Sequence, residues 1–193
     1  MNKPKNYDNT KSDNTGFTPI ELGAHRAIIK QVEERESKTG KQMIVVALDF
    51  AAEDSQPGYF ADQYQQDTRE DKKWPFAGLQ YILTEDQDGN TSRSFKGFCT
   101  AYEDSNGTSV KWGGGAAWGQ QFKGRRIGVV YGEVEEEYNG EIRTRPRIRW
   151  FCDDHKTKDQ QIPAKKLFKG PRPASGGGAE WMNVPFDNET LPF

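Results

Sequence analysis

Apolar and polar positions along this chain mark out strands, one helix and the turns between them. Ala24 to Val32 (AHRAIIKQV) reads as a strand, with imperfect alternation. Gln42 to Phe50 (QMIVVALDF) is a continuous apolar run, as in a strand buried on both faces. Ser37-Lys-Thr-Gly40 lies between them and predicts a turn, so the two segments form a hairpin. Gly58 to Gln65 (GYFADQYQ) predicts a third strand, and residues 67–89 carry no clear pattern. Ser92 then stands as an N-cap to a helix through Glu103, with Phe95, Phe98, Cys99 and Tyr102 at helical spacing. Asn106-Gly107 ends that helix. Val110 to Gly119 is a glycine-rich loop carrying Trp112 and Trp118. Arg126 to Glu137 and Glu141 to Cys152 are two further strands around Asn139-Gly140, a strong two-residue hairpin signal.

Three strands, a helix and two strands predict a mostly β fold, a five-stranded OB-type barrel with one helix between strands 3 and 4. An SH3-like barrel or a small α+β sheet has a similar order. Residues 1–16 hold almost nothing to bury and read as a disordered N-terminal segment. Residues 17–169 make the folded domain. Residues 170–193 begin with a Pro/Gly/Ser-rich linker and end in an acidic, aromatic tail.

The most informative stretch is Glu141-Ile-Arg-Thr-Arg-Pro-Arg-Ile-Arg-Trp150. Arg143, Arg145, Arg147 and Arg149 recur every second residue. On a strand they project from one face, about 6.5–7 Å apart. With Asn139-Gly140 as the whole turn, Glu136 opposes Arg143, Val134 opposes Arg145, Gly132 opposes Arg147 and Val130 opposes Arg149. Pro146 then opposes Glu133 at a non-hydrogen-bonded site, which suits an edge strand. Four like charges on one face repel, and an anion lying along them resolves the conflict. Nucleic-acid phosphates fit, because Arg pairs with phosphate bidentately and stacks on bases. The alternative is a solvated face neutralised by Glu133, Glu135, Glu136 and Glu137, of which only Glu136 shares the arginines' face.

Other candidates cluster around this strand. Lys123, Arg125 and Arg126 add positive charge just before the preceding strand. Trp112 and Trp118 either stack on bases or cap the barrel. Tyr59 and Tyr64 lie on the expected third strand, part of the binding face in OB folds. Trp74 reads as core.

Composition changes the picture in two ways. Hydrophobic residues are 33% and charged residues 29%, so part of the chain is expected to lie outside the core. Net charge is -2, which removes any global basic signature and leaves only local charge to argue for a polyanion. Cys99 and Cys152 lack partners at metal-ligand spacing; Cys152-Asp-Asp-His155 has no second pair. No metal or other cofactor is expected. His25 reads as structural. No phosphate-cradling loop or compact carboxylate group points to catalysis. There is no secretory or membrane-spanning apolar run, so the chain reads as cytoplasmic.

AHRAIIKQVEERESKTGKQMIVVALDF and FKGRRIGVVYGEVEEEYNGEIRTRPRIRWFC resemble a family of phage-encoded single-stranded DNA-binding proteins of phages and prophages of Gram-positive bacteria. The resemblance covers roughly residues 20–50 and 120–168. It implies an OB-type domain in a bacterial host cell that binds unpaired DNA with little sequence preference during phage replication and recombination. Bacterial proteins of this kind end in an acidic tip closing in Pro-Phe. Here the matching residues are Asp187, Glu189, Leu191, Pro192 and Phe193, and Val184-Pro-Phe186-Asp187 partly repeats them. The tip implies a docking handle for replication or recombination proteins: the terminal Phe enters an apolar pocket and a basic rim meets the acids. From Gly170 onward Arg172 stands against Glu180, Asp187 and Glu189, a balance that DNA repels. The competing expectations are a protein-interaction adaptor (a recombinase loader or host-nuclease inhibitor) and an RNA binder. A homo-oligomer is compatible with each.

Overall fold

The computed structural model describes residues 3, 5, 7 and 18–170. The expected N-terminal segment and the tail residues Asp187, Glu189, Leu191, Pro192 and Phe193 lie outside the described residues. The strands are β1 (Gly23–Glu36), β2 (Gln42–Phe50), β3 (Leu79–Leu83), β4 (Arg126–Tyr138) and β5 (Glu141–Cys152). The helices are α1 (Tyr59–Gln66) and α2 (Arg93–Asn106), with 3-10 turns at Phe76–Gly78, Gly115–Phe122 and Asp154–Asp159. The strands form one antiparallel sheet in the order β3-β2-β1-β4-β5. Among the described residues no ladder joins β3 to β5, so the sheet is open.

The β1–β2 hairpin turns at Ser37–Gly40, where Gly40 takes a left-handed φ of 75°. The irregular alternation of β1 has a physical cause: the register skips Lys30, between Ile29 and Gln31. This bulge keeps Ala27, Ile29 and Val32 all in the core. α2 follows the expected signals. Ser92 Oγ accepts a hydrogen bond from the Phe95 N–H at 3.1 Å, and Gly107 ends the helix at φ 60°. Phe95, Phe98, Cys99 and Tyr102 are buried on its inner face.

Tyr59–Gln66 is a helix, which corrects the third strand expected at residues 58–65. Gly58 enters it in a left-handed conformation, φ 67°. The buried Asp49 carboxylate accepts the Phe60 N–H at 2.9 Å, satisfying an amide of the first turn. Phe60 and Tyr64 are four residues apart, so both turn inward, Phe60 against Phe50 and Tyr64 against Trp74. The third strand is instead β3, in the stretch without pattern. Its Leu79, Tyr81 and Leu83 lie on one face and Ile82 is buried on the other. Trp74 is buried as expected and donates from Nε1 to the Leu48 carbonyl at 3.1 Å.

Tertiary contacts span the gap between β3 and β5. α2 touches both strands. The buried Tyr131 hydroxyl donates to the Ala77 carbonyl at 2.7 Å. The Arg147 guanidinium sits 4.5 Å over the Phe76 ring. Beyond β5, residues 162–168 cross back as a strap. Lys166 pairs in parallel with Val134, and its amide donates to the Glu133 carbonyl at 2.9 Å. The strap thus occupies the β4 edge that β1 leaves empty past Gly23.

Among the described residues no helix is long and apolar enough to cross a membrane.

Candidate nucleic-acid interface

The β4–β5 hairpin carries the arginines and extends past the end of β1. Its turn is the expected one, with Asn139 at φ 52° and Gly140 at φ 77°. The register matches expectation from Tyr138↔Glu141 to Tyr131↔Ile148, including Pro146 opposite Glu133 on an edge strand. It then shifts. Val130 pairs with Trp150 rather than Arg149, and Arg149 is the extra residue of a bulge. Space explains where it goes. The stem of Arg149 leans over Gly132, where a Cβ would lie 3.1 Å from its Cγ and 2.4 Å from Pro163 Cγ. Its Nη1 donates to the Ala164 carbonyl at 2.9 Å. Arg149 therefore leaves the even row formed by Arg143, Arg145 and Arg147.

The remaining three differ in their surroundings. Arg147 forms a bidentate pair with Glu136, both contacts 2.6 Å, and is 18% exposed. Arg143 pairs with Glu141 at 2.8 Å and lies over the Tyr138 ring at 5.3 Å. Arg145 is exposed, and among the described residues no carboxylate pairs with it. Among the described residues neither Arg145 nor Arg149 is paired with a carboxylate. An exposed pair such as Arg143–Glu141 contributes only about 0–1 kcal/mol, so a phosphate can displace Glu141 at little cost.

A second basic group lies at the other end of β4. Lys123 and Arg125 are exposed in the turn before it. The backbone of that turn is tied to β1: Gly124 donates to the Ile29 carbonyl at 2.8 Å and Ile29 donates to the Arg125 carbonyl at 2.9 Å. This puts exposed Lys30, the bulge residue of β1, beside them. Lys30 drew no attention in the sequence because the bulge that frees it is a property of pairing. Arg126 belongs elsewhere; it pairs with Glu53 and, at 3.3 Å, with buried Asp154. From Arg125 to Gly132, which opposes Arg147, is about 23 Å along β4, so the two basic groups are separate.

The aromatic candidates also divide. Trp112 is 68% exposed and lies 6.0 Å from Trp118 at an interplanar angle of 22°. Trp118 is buried under it, against Phe95 and Phe122, and so serves as the floor of the stack. Gln121 fixes the loop by bonding both the amide and the carbonyl of Lys111. Tyr59 and Tyr64 sit on α1, off the strand face expected for them. The Tyr59 hydroxyl donates to the Thr18 carbonyl at 2.8 Å, and burial pushes its pKa up to about 12. Tyr64 packs on Trp74 beneath Lys72. Phe76 and Tyr81, each 39% exposed, escaped the sequence reading; Phe76 lies under Arg147 and Tyr81 lies 6.1 Å from Phe76.

An open cleft of about 620 Å³ runs between α2 and the end of β5, lined in part by Arg93, Lys96, Phe151 and Cys152. Burial pushes the Cys152 and Cys99 thiols each up to about 11, so neither is a thiolate near neutral pH. Among the described residues no three His, Cys, Asp or Glu side chains are grouped to hold a metal ion.

No protein-family model matches the chain, and no curated protein matches it by sequence.

Proposed function

We propose that this chain binds single-stranded DNA without catalysis, through an OB-type barrel. What supports the barrel is the strand order β3-β2-β1-β4-β5, which would close as an OB ring if β3 met β5, and α2 against both of those strands. The observation that carries the functional reading is Arg145. It is an exposed guanidinium without a carboxylate partner among the described residues, between two arginines whose partners a phosphate can replace or join. Lys30, Lys123 and Arg125 offer a second, separate basic group at the other end of β4, and Trp112 offers a π-face to an unpaired base. The resemblance to phage single-stranded DNA-binding proteins agrees with this reading, as does the acidic Pro-Phe tip.

Intrinsic tryptophan fluorescence tests it, by titration with a dT 30-mer at several salt concentrations and with duplex DNA alongside. We expect dT to bind and duplex to bind weakly. Log affinity should fall against log salt with a slope of about -2 to -3, roughly -0.7 for each phosphate contact. Arg145→Ala should flatten that slope by about 0.7. An unchanged slope removes Arg145 from the site, and no binding of dT removes the whole reading. The adaptor reading would then lead. It has its own support, since Arg143 and Arg147 already hold carboxylates as they would hold an acidic protein.

The tail reading is separable. Deleting residues 187–193 should preserve or raise dT affinity and abolish pull-down of replication or recombination proteins. A collapse of dT affinity would instead make the tail part of the DNA site.

A further inference from the structure

Besides Tyr138 and Trp150 of the hairpin itself, the fold exposes two further rings near the arginine strand. Phe76 occupies the 3-10 turn before β3, and Tyr81 lies on the outward face of β3. Their centroids are 6.1 Å apart with the rings tilted by 32°. Arg147 covers Phe76 at 4.5 Å while its fork is held by Glu136. The result is a continuous row of carboxylate, guanidinium, phenyl and phenol, with the last two rings each 39% exposed.

The turn beneath is fixed. Its Ala77 carbonyl accepts the Tyr131 hydroxyl. Gly78 lies so close to Phe60 and Trp74 that a Cβ would meet both at 2.8 Å. Phe76 therefore rides on a rigid base, which lowers the entropy a ligand must remove on binding. Exposed rings on a rigid sheet surface, backed by a cation, suit flat, electron-rich, partly polar groups.

We infer that Phe76 and Tyr81, backed by Arg147, form a base-stacking station for an unpaired nucleobase, and that Arg147 positions the rings while Arg145 meets phosphate. This rests on the single-stranded DNA reading above. Stacking is not a counterion-release contact. Loss of a ring should therefore weaken binding without altering its salt dependence, the reverse of the Arg145 variant.

The experiment compares a dT 30-mer with an abasic 30-mer, which keeps the phosphates and lacks the bases. Wild type should prefer dT. Phe76→Leu and Tyr81→Leu keep apolar bulk and remove the aromatic face. Each should weaken dT binding about tenfold, leave abasic binding unchanged and preserve the salt slope. Tyr81→Trp keeps a ring and should retain dT affinity, which guards against a general defect of folding. If wild type prefers dT and both leucine variants bind it equally well, the station is refuted while the DNA reading stands. If wild type binds neither polymer, the DNA reading fails and the station with it.

Discussion

Asp54→Ala should cost about 3–5 kcal/mol of stability and reverse the sign of its pH dependence near neutrality. His25 is 2% exposed, stacked on Phe50 at 4.2 Å and edge-on to Tyr131. Its Nδ1 lies 2.8 Å from Asp54 Oδ1, and its Nε2 lies 2.9 Å from the Glu21 carbonyl. Both ring nitrogens face acceptors, so the site is built for the doubly protonated imidazolium. Burial works against that charge. The hydrogen bonds to Asp54 and Glu21 and the charge of Asp54 outweigh it, so the His25 pKa is raised above 6.5. The Asp54 carboxyl is likewise disfavoured by burial, yet its bonds to His25 and to the Gln56 and Arg26 amides hold it below 3.8.

The signs follow from these directions. The His25 contribution is fully present below about pH 6.5 and is lost as pH rises through the higher folded value. The Asp54 contribution is present above about pH 3.8 and is lost as pH falls through its lower folded value. The pair is therefore worth most between about pH 4 and 6.5. Without the Asp54 carboxylate, burial dominates and His25 prefers to be neutral. Thermal melting from pH 6 to 8 should then show stability falling with pH in the wild type and rising in Asp54→Ala. Parallel curves would show that the pair does not ionise as described. The variant also leaves the Arg26 and Gln56 amides without their carboxylate acceptor, which is why the total loss is large.

Gly119→Ala should be comparably damaging, at about 4 kcal/mol. A Cβ at Gly119 would lie 2.0 Å from the Val32 carbonyl oxygen and 3.0 Å from its carbon. Backbone cannot rotate away as a side chain can, so the 115–122 segment must lift off β1. Phe122 is fully buried and Trp118 nearly so, and both move with that segment. The Trp112 stack loses its floor, so dT affinity should fall together with stability. Gly97→Ala provides the opposite control. It lies inside α2 with nothing within 4 Å of its Cβ, and should gain about 0.5–1 kcal/mol from helix propensity. Urea unfolding followed by tryptophan fluorescence measures both. A mild effect at Gly119 would mean that the segment is only loosely seated on β1.

What could be read from the sequence depended on whether the deciding force was local. The Ser92 cap, the Phe95-to-Tyr102 spacing and the Asn139-Gly140 turn act within a few residues, so α2 and the β4–β5 hairpin were legible. α1 was not, because its deciding bond comes from Asp49, a strand residue that accepts the Phe60 amide. Read locally, YFADQYQ alternates badly, and its only pair of rings at helical spacing is Phe60 and Tyr64. β3 was missed for the opposite reason: LQYIL is only five residues long and apolar on both faces. The arginine row was legible as far as Arg147. Beyond it, alternation continues unbroken in the sequence, and only the room over Gly132 and the Ala164 carbonyl draw Arg149 aside. The Glu141 partner of Arg143 lies two residues away on the same strand face and was within reach of the same periodicity.

The open seam has a mechanical consequence. Among the described residues β3 is held by a backbone ladder on one side only, and its other lip meets β5 through side chains, a turn and α2. The rungs of a fully closed barrel are fixed parts of the fold. Here side chains, a turn and α2 take their place. A strand of DNA with a base on Tyr81 and a phosphate on Arg145 would act as a clasp, joining the two lips across the seam. Its binding free energy would then be added to the resistance of the least secured strand to opening. The protein would be stiffest while loaded, and β3 would be the first element to loosen when the strand is withdrawn.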